Sequence, residues 1–227
     1  MCGRFTLSSP PEILASLFDL EEVPALSPRY NIAPTQPVAV VRLDLEREAR
    51  ELTFLRWGLV PFWAKDPAIG SRLINARAET VAEKPAFREA FRHRRCLVPA
   101  SGFYEWEKTE GGKQPFFFHA AADAPLAIAG LWERWKAPDG ETLETCTLLT
   151  TEADDVVQPV HDRMPVVVRP QDYDLWLDPS ATGADRLGAL LGPGAGVRLV
   201  AHPVSTRVNT PANDGPELVA PLAEGVG

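Results

Sequence analysis

The chain has 227 residues, a length that suits one compact domain with its own apolar core. Its net charge of −8 argues against general coating of duplex DNA, and three widely spaced cysteines argue against a disulfide framework. No apolar run approaches the ~20 residues that span a bilayer. No signal-peptide pattern follows Met1, so we expect a cytoplasmic protein with no membrane partner.

The first half of the chain predicts a short helix, a fixed loop and two strands. Ser9-Pro10-Pro11-Glu12 has the pattern of a capping box with proline just inside the helix start. The apolar residues that follow recur at helical spacing: Ile13, Leu14, Leu17 and Phe18. Four prolines within 24–37 predict an extended loop, and the strands after it are Val38–Leu43 and Leu52–Trp57. After a Pro-, Trp- and Gly-rich loop over 58–72, a second short helix is predicted over Glu83–Phe91, with Phe87 and Phe91 on one face.

The second half is predicted mainly as β-structure. The strand candidates are Cys96–Val98, Gly102–Glu107, Pro115–His119, Leu126–Trp132, Thr145–Thr151, Val166–Val168 and Val197–Val204. Gly111-Gly112 and Asp139-Gly140 are typical of hairpin turns, and short helices are predicted over Gln171–Leu177 and Ala184–Leu191. We therefore expect an α+β fold with a strongly curved, mainly antiparallel, barrel-like sheet and short flanking helices. This single domain covers 1–205, and an irregular C-terminal tail covers 206–227.

Cys2 is the sharpest chemical feature of the sequence. Methionine is commonly removed before a small second residue, which would expose an amine and a thiol on the same terminal residue. The reference pKa of an α-amino group is roughly 7.7–8.0, so part of it is neutral at cellular pH. A neutral amine condenses with an aldehyde to a Schiff base, and the adjacent thiol then closes a five-membered thiazolidine intramolecularly. The plain alternative is that cysteine stands second by chance.

Seven segments along the chain together form a sequence pattern. They are Met1-Cys2-Gly3-Arg4-Phe5, Tyr30-Asn31-Ile32-Ala33-Pro34-Thr35, Arg56-Trp57-Gly58-Leu59-Val60-Pro61, Asn75-Ala76-Arg77-Ala78-Glu79-Thr80, Arg95-Cys96-Leu97-Val98-Pro99-Ala100-Ser101-Gly102-Phe103-Tyr104-Glu105-Trp106, Ala129-Gly130-Leu131-Trp132-Glu133 and His161-Asp162-Arg163-Met164-Pro165-Val166. Together they closely resemble the SRAP family, the SOS response-associated peptidases, which include bacterial and animal abasic-site sensors. The resemblance runs from residue 2 to about 205, in order and at plausible spacing.

The resemblance implies a function as well as a fold. It implies a mixed α/β fold with a central barrel-like sheet. Cys2 would join covalently, as a thiazolidine, to the ring-opened sugar of an abasic site in single-stranded DNA, as part of the response to DNA damage. Asn75, Glu105 and His161 resemble the remaining active-site residues. The family name also implies a peptidase, of which the most economical form is removal of the chain's own Met1.

These residue types also suit the chemistry without the family. Strand alternation over 102–107 places Phe103 and Glu105 on one face, where an apolar environment would raise the pKa of the carboxyl toward a useful acid–base value. Histidine titrates near neutral pH and suits proton transfer, and the Asn75 amide offers both a donor and an acceptor. Taken singly, each has a plainer interpretation: Glu105 as a solvated edge residue, His161 as structural and Asn75 as a turn residue.

Contacts to DNA are predicted from the same motifs. Residues 56–108 hold 10 basic and 6 acidic side chains, which is compatible with a local basic groove or simply with a solvated surface. The candidate phosphate contacts are Arg4, Arg77 and Arg163, and the candidate stacking residues are Phe62, Trp63 and Trp106, which could equally lie in the core. The scattered cysteines and histidines predict no metal site, and no nucleotide or cofactor motif is present, so we expect no cofactor and a monomer acting on single-stranded DNA.

Two other functions fit part of the sequence. Amidotransferases with an N-terminal nucleophile also begin Met-Cys-Gly, and there the thiol attacks glutamine while the α-amino group acts as base. A module that binds single strands without forming a bond is the other alternative. Glutamine hydrolysis separates the first from abasic-DNA crosslinking, and a denaturing gel separates the second, because only a covalent complex survives it.

Overall fold

The computed structural model describes residues 2–192 and 197–222. The described strands are β1 (Phe5–Leu7), β2 (Arg29–Ile32), β3 (Pro37–Asp44), β4 (Ala49–Trp57), β5 (Asn75–Arg77), β6 (Arg95–Ala100), β7 (Gly102–Thr109), β8 (Gly112–Ala120), β9 (Leu126–Lys136), β10 (Thr142–Glu152), β11 (Arg163–Pro165) and β12 (Leu199–Pro203). The helices are α1 (Pro11–Phe18), α2 (Arg88–His93), α3 (Tyr173–Leu177) and α4 (Ala184–Gly188), with 3-10 turns at Pro67–Arg72, Pro170–Asp172, Thr206–Asn209 and Pro216–Val219. None of the described helices is long and apolar enough to cross a bilayer.

Five strands close into a barrel. The ring runs β10, β4, β3, β6, β9 and back to β10, with β4 parallel to β10 and the other neighbours antiparallel. Every residue of β6 is buried, as expected for a strand with protein on both faces. Closure leaves the ring without an open edge. The short strands β5 and β11 join β10 beyond the ring and extend this sheet toward one side.

A second, antiparallel sheet packs beside the barrel in the order β12, β8, β7, β1, β2. Alternation along β7 and β8 gives this sheet two different faces. Phe103 and Phe118 stack with ring centroids 5.1 Å apart on the face that joins the main core. Tyr104 and Phe117 point the other way, into a smaller apolar cluster shared with the C-terminal segment. The predicted α+β, barrel-like single domain is thus confirmed, and the structure adds the second sheet.

The first helix begins differently from the predicted capping box. Its N-cap is Pro10 and no side chain caps it, because the Ser9 hydroxyl lies 2.8 Å from the Ser101 hydroxyl instead. The proline at the first helical position is as predicted. Leu14 and Phe18 are buried, whereas Ile13 is 48% exposed, so the predicted apolar face was too wide.

Two further elements differ from the sequence-based expectation. The helix predicted over Glu83–Phe91 begins only at Arg88, because Pro85 has no amide hydrogen to donate and resists a helix interior. Phe87 and Phe91 are nevertheless both buried. The strand predicted over Val166–Val168 is instead β11, three residues earlier, because this segment then changes partner. The Val166 amide bonds to β10, and the Val168 amide bonds to β9.

The segment predicted as an irregular tail contains the last two 3-10 turns within its described part, residues 206–222. Val208 and Leu218 are fully buried against Tyr104 and Phe117. The Leu222 amide donates to the carbonyl of Pro203 at 3.0 Å. Residues 223–227 of the predicted tail lie outside the described residues. The described part of the segment therefore packs on the outer face of the second sheet.

Candidate active site at the seam of the two sheets

Cys2 lies immediately before β1, and its side chain is fully buried. The Tyr104 amide of β7 donates to the carbonyl of Arg4 and brings the chain start alongside β7. Burial raises the pKa of the Cys2 thiol well above its ordinary value, and the negative charge of Glu105 raises it further. The thiol is therefore neutral at neutral pH and is not a ready thiolate nucleophile in this environment.

Glu105 lies on β7, and only 3% of it is exposed. Burial raises the pKa of its carboxyl, and the neighbouring His161 opposes that shift. The sequence-based expectation of a carboxyl with a raised pKa on the inner face of this strand is confirmed. Such a group holds a proton more readily than an exposed glutamate, which favours a role in proton transfer.

His161 lies in the loop before β11, with its Nε2 atom 4.0 Å from Oε2 of Glu105. Its Nδ1 atom accepts a hydrogen bond of 2.9 Å from the backbone amide of Arg163. A backbone N–H can only donate, so Nδ1 is the acceptor and the neutral ring carries its proton on Nε2, toward Glu105. Oδ1 of Asp162 also lies 3.0 Å from Nδ1, but Asp162 is largely exposed, and we assign the tautomer from the fixed amide.

Asn75 reaches the chain start from the barrel side. It stands on β5, paired with Leu148 of β10, and its Nδ2 donates to the Cys2 carbonyl at 2.8 Å. Its Oδ1 is buried and has no hydrogen-bond partner among the described residues. A buried acceptor without a partner costs free energy, on the order of 1–3 kcal/mol, unless a ligand or water satisfies it. This oxygen is therefore open to an amine or a sugar hydroxyl.

The four residues singled out by the sequence thus lie in one cluster. Asn75 binds the backbone of Cys2, the charge of Glu105 acts on the Cys2 thiol, and His161 lies beside Glu105. They come from four separate places in the chain and from both sheets. The arrangement sets Cys2 beside a buried carboxyl and a partly exposed histidine. Within the described residues, no group of three or more His, Cys, Asp or Glu side chains is placed to hold a metal ion.

Arg4 and Trp106, both predicted to contact DNA, are held by the protein itself. Nη1 of Arg4 donates to Oδ1 of Asn31 at 2.6 Å and to the carbonyl of Val208 at 2.8 Å. The guanidinium also lies over the Trp106 ring, 5.9 Å from its centroid. Nε1 of Trp106 donates to Oδ1 of Asn209 at 2.7 Å. Both side chains have partners within the fold that compete with any contact to DNA.

The other two arginines differ sharply from each other. Arg163 makes a two-pronged ion pair with Glu79, at 2.7 and 2.9 Å, and its side chain is only 12% exposed. Hydrogen bonding from Arg163 lowers the pKa of Glu79. Arg77, at the end of β5, is exposed. Of the three predicted phosphate contacts, Arg77 is the one presented to solvent beside the site.

Phe62 and Trp63 are 55% and 50% exposed, on the loop that follows β4. The loop is pinned at both ends. Gly58 has φ +128°, and a Cβ there would come within 2.6 Å of the Gly70 carbonyl oxygen, so only glycine fits. Nε1 of Trp135 donates to the carbonyl of Ala64 at 2.7 Å. Two large rings are therefore held in solvent by a fixed loop, and the alternative that they are core residues is wrong.

Comparison with known proteins agrees with this geometry. A family model described as SOS response associated peptidase (SRAP) matches residues 1–211. The chain belongs to the SRAP family. This SRAP protein is 41% identical over 223 residues to abasic site processing protein YoqW of Bacillus subtilis (strain 168), covering 96% of this chain and 99% of the relative. It is 34% identical over 229 residues to abasic site processing protein HMCES of Gallus gallus, covering 88% of this chain and 68% of the relative.

The fold of this SRAP protein also matches solved structures. A crystal structure of a protein from Bacteroides thetaiotaomicron superposes with a TM-score of 0.86 over 98% of this chain and 100% of that one. The sequence identity is 24%, so this likeness concerns the fold alone.

Sequence reasoning missed two residues that organise the site of this SRAP protein. Glu79 holds Arg163, and Asn31 holds Arg4. Both stand inside the motifs that carried the family resemblance, but neither received a role. The available signal was position alone: each is a polar residue inside one of these motifs. Their partners lie 84 and 27 residues away in the chain, so local pattern could not reveal the pairing.

Proposed function

We propose that this SRAP protein, once Met1 is removed, captures abasic sites in single-stranded DNA through a thiazolidine formed by Cys2. The observation that carries the proposal is the position of Cys2 at the chain start, buried, with its carbonyl held by Asn75 and with Glu105 beside it. The relatives named as abasic site processing proteins support the choice of substrate. The proposal accounts for why a terminal cysteine lies in an acid–base site.

The first step is opening of the sugar. An abasic deoxyribose is mostly a closed hemiacetal, so its ring oxygen O4′ must gain a proton and its C1′ hydroxyl must lose one to form the aldehyde. Glu105 in its protonated form, which the raised pKa of its carboxyl favours, delivers its proton to O4′, while the Nε2–H of His161, near the site entrance with 28% of its side chain exposed, donates a hydrogen bond to the sugar. The carboxylate form of Glu105 takes up the hydroxyl proton.

The second step joins protein and DNA. The neutral α-amine of Cys2 attacks C1′ of the aldehyde, forming a C–N bond and a carbinolamine. Glu105, now protonated, delivers its proton to the carbinolamine hydroxyl, which leaves as water while the nitrogen lone pair forms the C=N bond, and the resulting carboxylate takes the remaining N–H proton to leave a neutral imine. The raised pKa of the buried carboxyl favours its protonated form at this stage.

The third step closes the ring. The Cys2 sulfur adds to the imine carbon, the C=N electron pair moves to nitrogen, and the thiol proton ends on that nitrogen. The whole sequence releases one water and uses no oxidant or reductant. A thiol kept neutral by burial and by Glu105 is a poor first nucleophile, which supports attack by the amine before the sulfur. Asn75 holds the Cys2 backbone, and its open Oδ1 accepts from the new ring nitrogen or from a sugar hydroxyl.

The raised pKa of the Cys2 thiol also bears on the alternative functions. Glutamine hydrolysis needs the thiol to attack an amide, and a buried thiol beside a carboxylate has its pKa shifted in the unfavourable direction. For the peptidase activity in the family name, we propose hydrolysis of the chain's own Met1–Cys2 bond, with water as co-reactant. Single-strand contact is assigned to exposed groups: Arg77 for phosphate, Phe62 and Trp63 for base stacking.

Intact mass spectrometry after incubation with a single-stranded oligonucleotide bearing one abasic site tests the proposal. The expected product is the sum of oligonucleotide and protein without Met1, less one water. A matched variant carries one residue that cannot be removed in front of Cys2, so it should bind the same DNA but form no adduct. An adduct of normal yield from that variant would show that the terminal amine is not the nucleophile. A parent protein that binds but gives no adduct would favour the non-covalent module.

A further inference from the structure

The described C-terminal segment crosses the outer face of the second sheet next to the site. We call residues 206–214 the strap. Within it, Val208 is fully buried in the cluster that contains Tyr104 and Phe117. Strap residue Asp214 also accepts a hydrogen bond from the Tyr30 amide of β2. The strap is therefore part of the packed domain, attached along the edge strand β2.

Asn31 is the centre of this attachment. It lies on β2 and is 1% exposed. Its Nδ2 donates toward three strap carbonyls, those of Val208 at 3.2 Å, Thr210 at 3.0 Å and Asn213 at 2.7 Å. Its Oδ1 accepts from Arg4 at 2.6 Å. One buried amide thus binds the strap on one side and the chain start on the other.

The strap also contacts the neighbours of both reacting residues. The Val208 carbonyl accepts from Arg4, two residues after Cys2. Oδ1 of Asn209 accepts from Trp106, the residue that follows Glu105. Cys2 itself precedes β1 and lies outside the sheet ladder. Its segment is held by the Asn75 bond, by the Tyr104 amide and by the Arg4 side chain, and the last of these anchors depends on the strap.

We propose that the strap positions the Cys2 nucleophile against Glu105, with Asn31 as the positioning residue. The inference rests on the proposed thiazolidine chemistry. Attack by an amine requires the reacting atoms to be held close and aligned, and a displacement of about 1 Å costs on the order of 10²-fold in rate. Loss of the Arg4 side-chain bonds removes one of the contacts described above that hold the segment containing Cys2. The expected defect is in the rate of bond formation, not in DNA binding.

The test is single-turnover adduct formation at saturating abasic single-stranded DNA, with affinity measured separately on the same strand lacking the abasic site. Asn31→Ala should slow adduct formation by roughly 10- to 100-fold, with affinity within about threefold of the parent. Gln114→Ala is a matched control, because its side-chain amide also donates to backbone carbonyls, those of Pro115 and Val204, but outside the strap, and it should react at the parent rate.

A second pair keeps the test decisive if Asn31→Ala folds poorly. Val208→Ala and Val204→Ala remove the same two methyl groups from the same buried cluster, but only Val208 belongs to the strap. Val208→Ala should slow adduct formation by about three- to tenfold, and Val204→Ala should stay within about twofold of the parent. Equal slowing by both, or a folded Asn31→Ala that reacts at the parent rate, would overturn the inference. Failure of the thiazolidine chemistry itself would appear in the parent protein, which would then give no adduct.

Discussion

The two halves of the site differ in how firmly they are enclosed. Glu105 stands on β7 of the second sheet and Cys2 lies just before β1, and they are 3% and 0% exposed, whereas Asn75 is partly buried and His161 has a side chain 28% exposed. The latter two stand on additions to the barrel. In the proposed chemistry, the enclosed half would hold the reacting atoms and the open half would face the substrate. The bond from Asn75 to Cys2 and the contact between His161 and Glu105 join these residues across the seam.

This difference in burial indicates which half suits bond formation and which half suits contact with DNA. An amine and a thiol that must meet one carbon atom benefit from a rigid, dry environment, which a sheet interior supplies. A flexible polymer must also enter and leave, which needs an accessible side. Variants of the enclosed half should therefore affect the chemistry most, and variants of the open half should affect the fate of the adduct and DNA affinity.

The largest effect is expected from Cys2→Ala, which keeps an amine for imine formation but has no thiol to close the ring. The heat-stable adduct should disappear on a denaturing gel. Cys2→Ser should be nearly as poor, because oxazolidines reverse more readily. Cys96→Ala and Cys146→Ala remove the other two buried thiols and should crosslink normally. A heat-stable adduct of normal yield from Cys2→Ala would disprove the mechanism.

The next largest effect separates the two halves directly. Glu105→Gln should slow adduct formation by roughly 10²–10⁴-fold, because a positioned proton-transfer group contributes that much. His161→Ala should instead change reversal of the imine and strand cleavage by β-elimination more than DNA affinity. Glu107→Gln, two residues along the same face of β7 and less buried, is the matched control. Time courses of formation and release across pH decide the roles. Parent rates in both variants would remove Glu105 and His161 from the catalytic set.

Variants of Asn75 test the hydrogen bond from Asn75 to the Cys2 carbonyl, which joins the two halves. Asn75→Asp keeps the shape of the side chain but places a carboxylate oxygen against the Cys2 carbonyl, where an amide hydrogen now lies at 2.8 Å. Losing a hydrogen bond of about 1–1.5 kcal/mol corresponds to about a tenfold slower single-turnover rate. Asn75→Ala removes the bond without adding repulsion and should be less severe. Equal rates for Asn75→Asp and the parent would mean that the link is dispensable.

A smaller effect is expected from the exposed cation of the open half. Arg77→Gln should weaken binding to single-stranded DNA a few-fold and reduce the slope of log affinity against log salt by about 0.7. The rate at saturating DNA should not change. Arg92→Gln alters an exposed arginine of α2 paired with Glu89 and serves as the control. An unchanged salt dependence for Arg77→Gln would exclude a phosphate contact there.

The smallest predicted effect concerns stability and pH. The folded protein raises the pKa of Glu105, so the stability associated with its proton is fully present below the unfolded pKa of about 4.3 and is lost as pH rises through the folded value. Glutamine carries no charge to bury. The melting temperature of Glu105→Gln should therefore exceed that of the parent by a margin that grows as the pH rises above the unfolded pKa. A margin independent of pH would contradict the raised pKa.

Much of the enclosed half could be predicted from sequence. The place of Cys2 at the chain start is a property of the covalent chain, and the inward direction of Glu105 follows from strand alternation two residues after Phe103. The second helix begins later than its apolar spacing predicts, because Pro85 resists a helix interior. The three-residue strands β1, β5 and β11 are too short for periodicity to reveal, and they are what bring the chain start, Asn75 and His161 together.

The sequence by itself determined which residue types are available for the proposed chemistry, because a cysteine at position 2, a strand carboxyl and a histidine each have properties that belong to the residue and its local pattern. Only the tertiary structure decided which charged groups remain available. It pairs Arg163 with Glu79 and ties Arg4 to Asn31 and Val208, while it presents Arg77 to solvent. Val208 lies 204 residues from Arg4 along the chain. Such pairings arise when distant segments pack on a shared apolar cluster, and no local spacing encodes that.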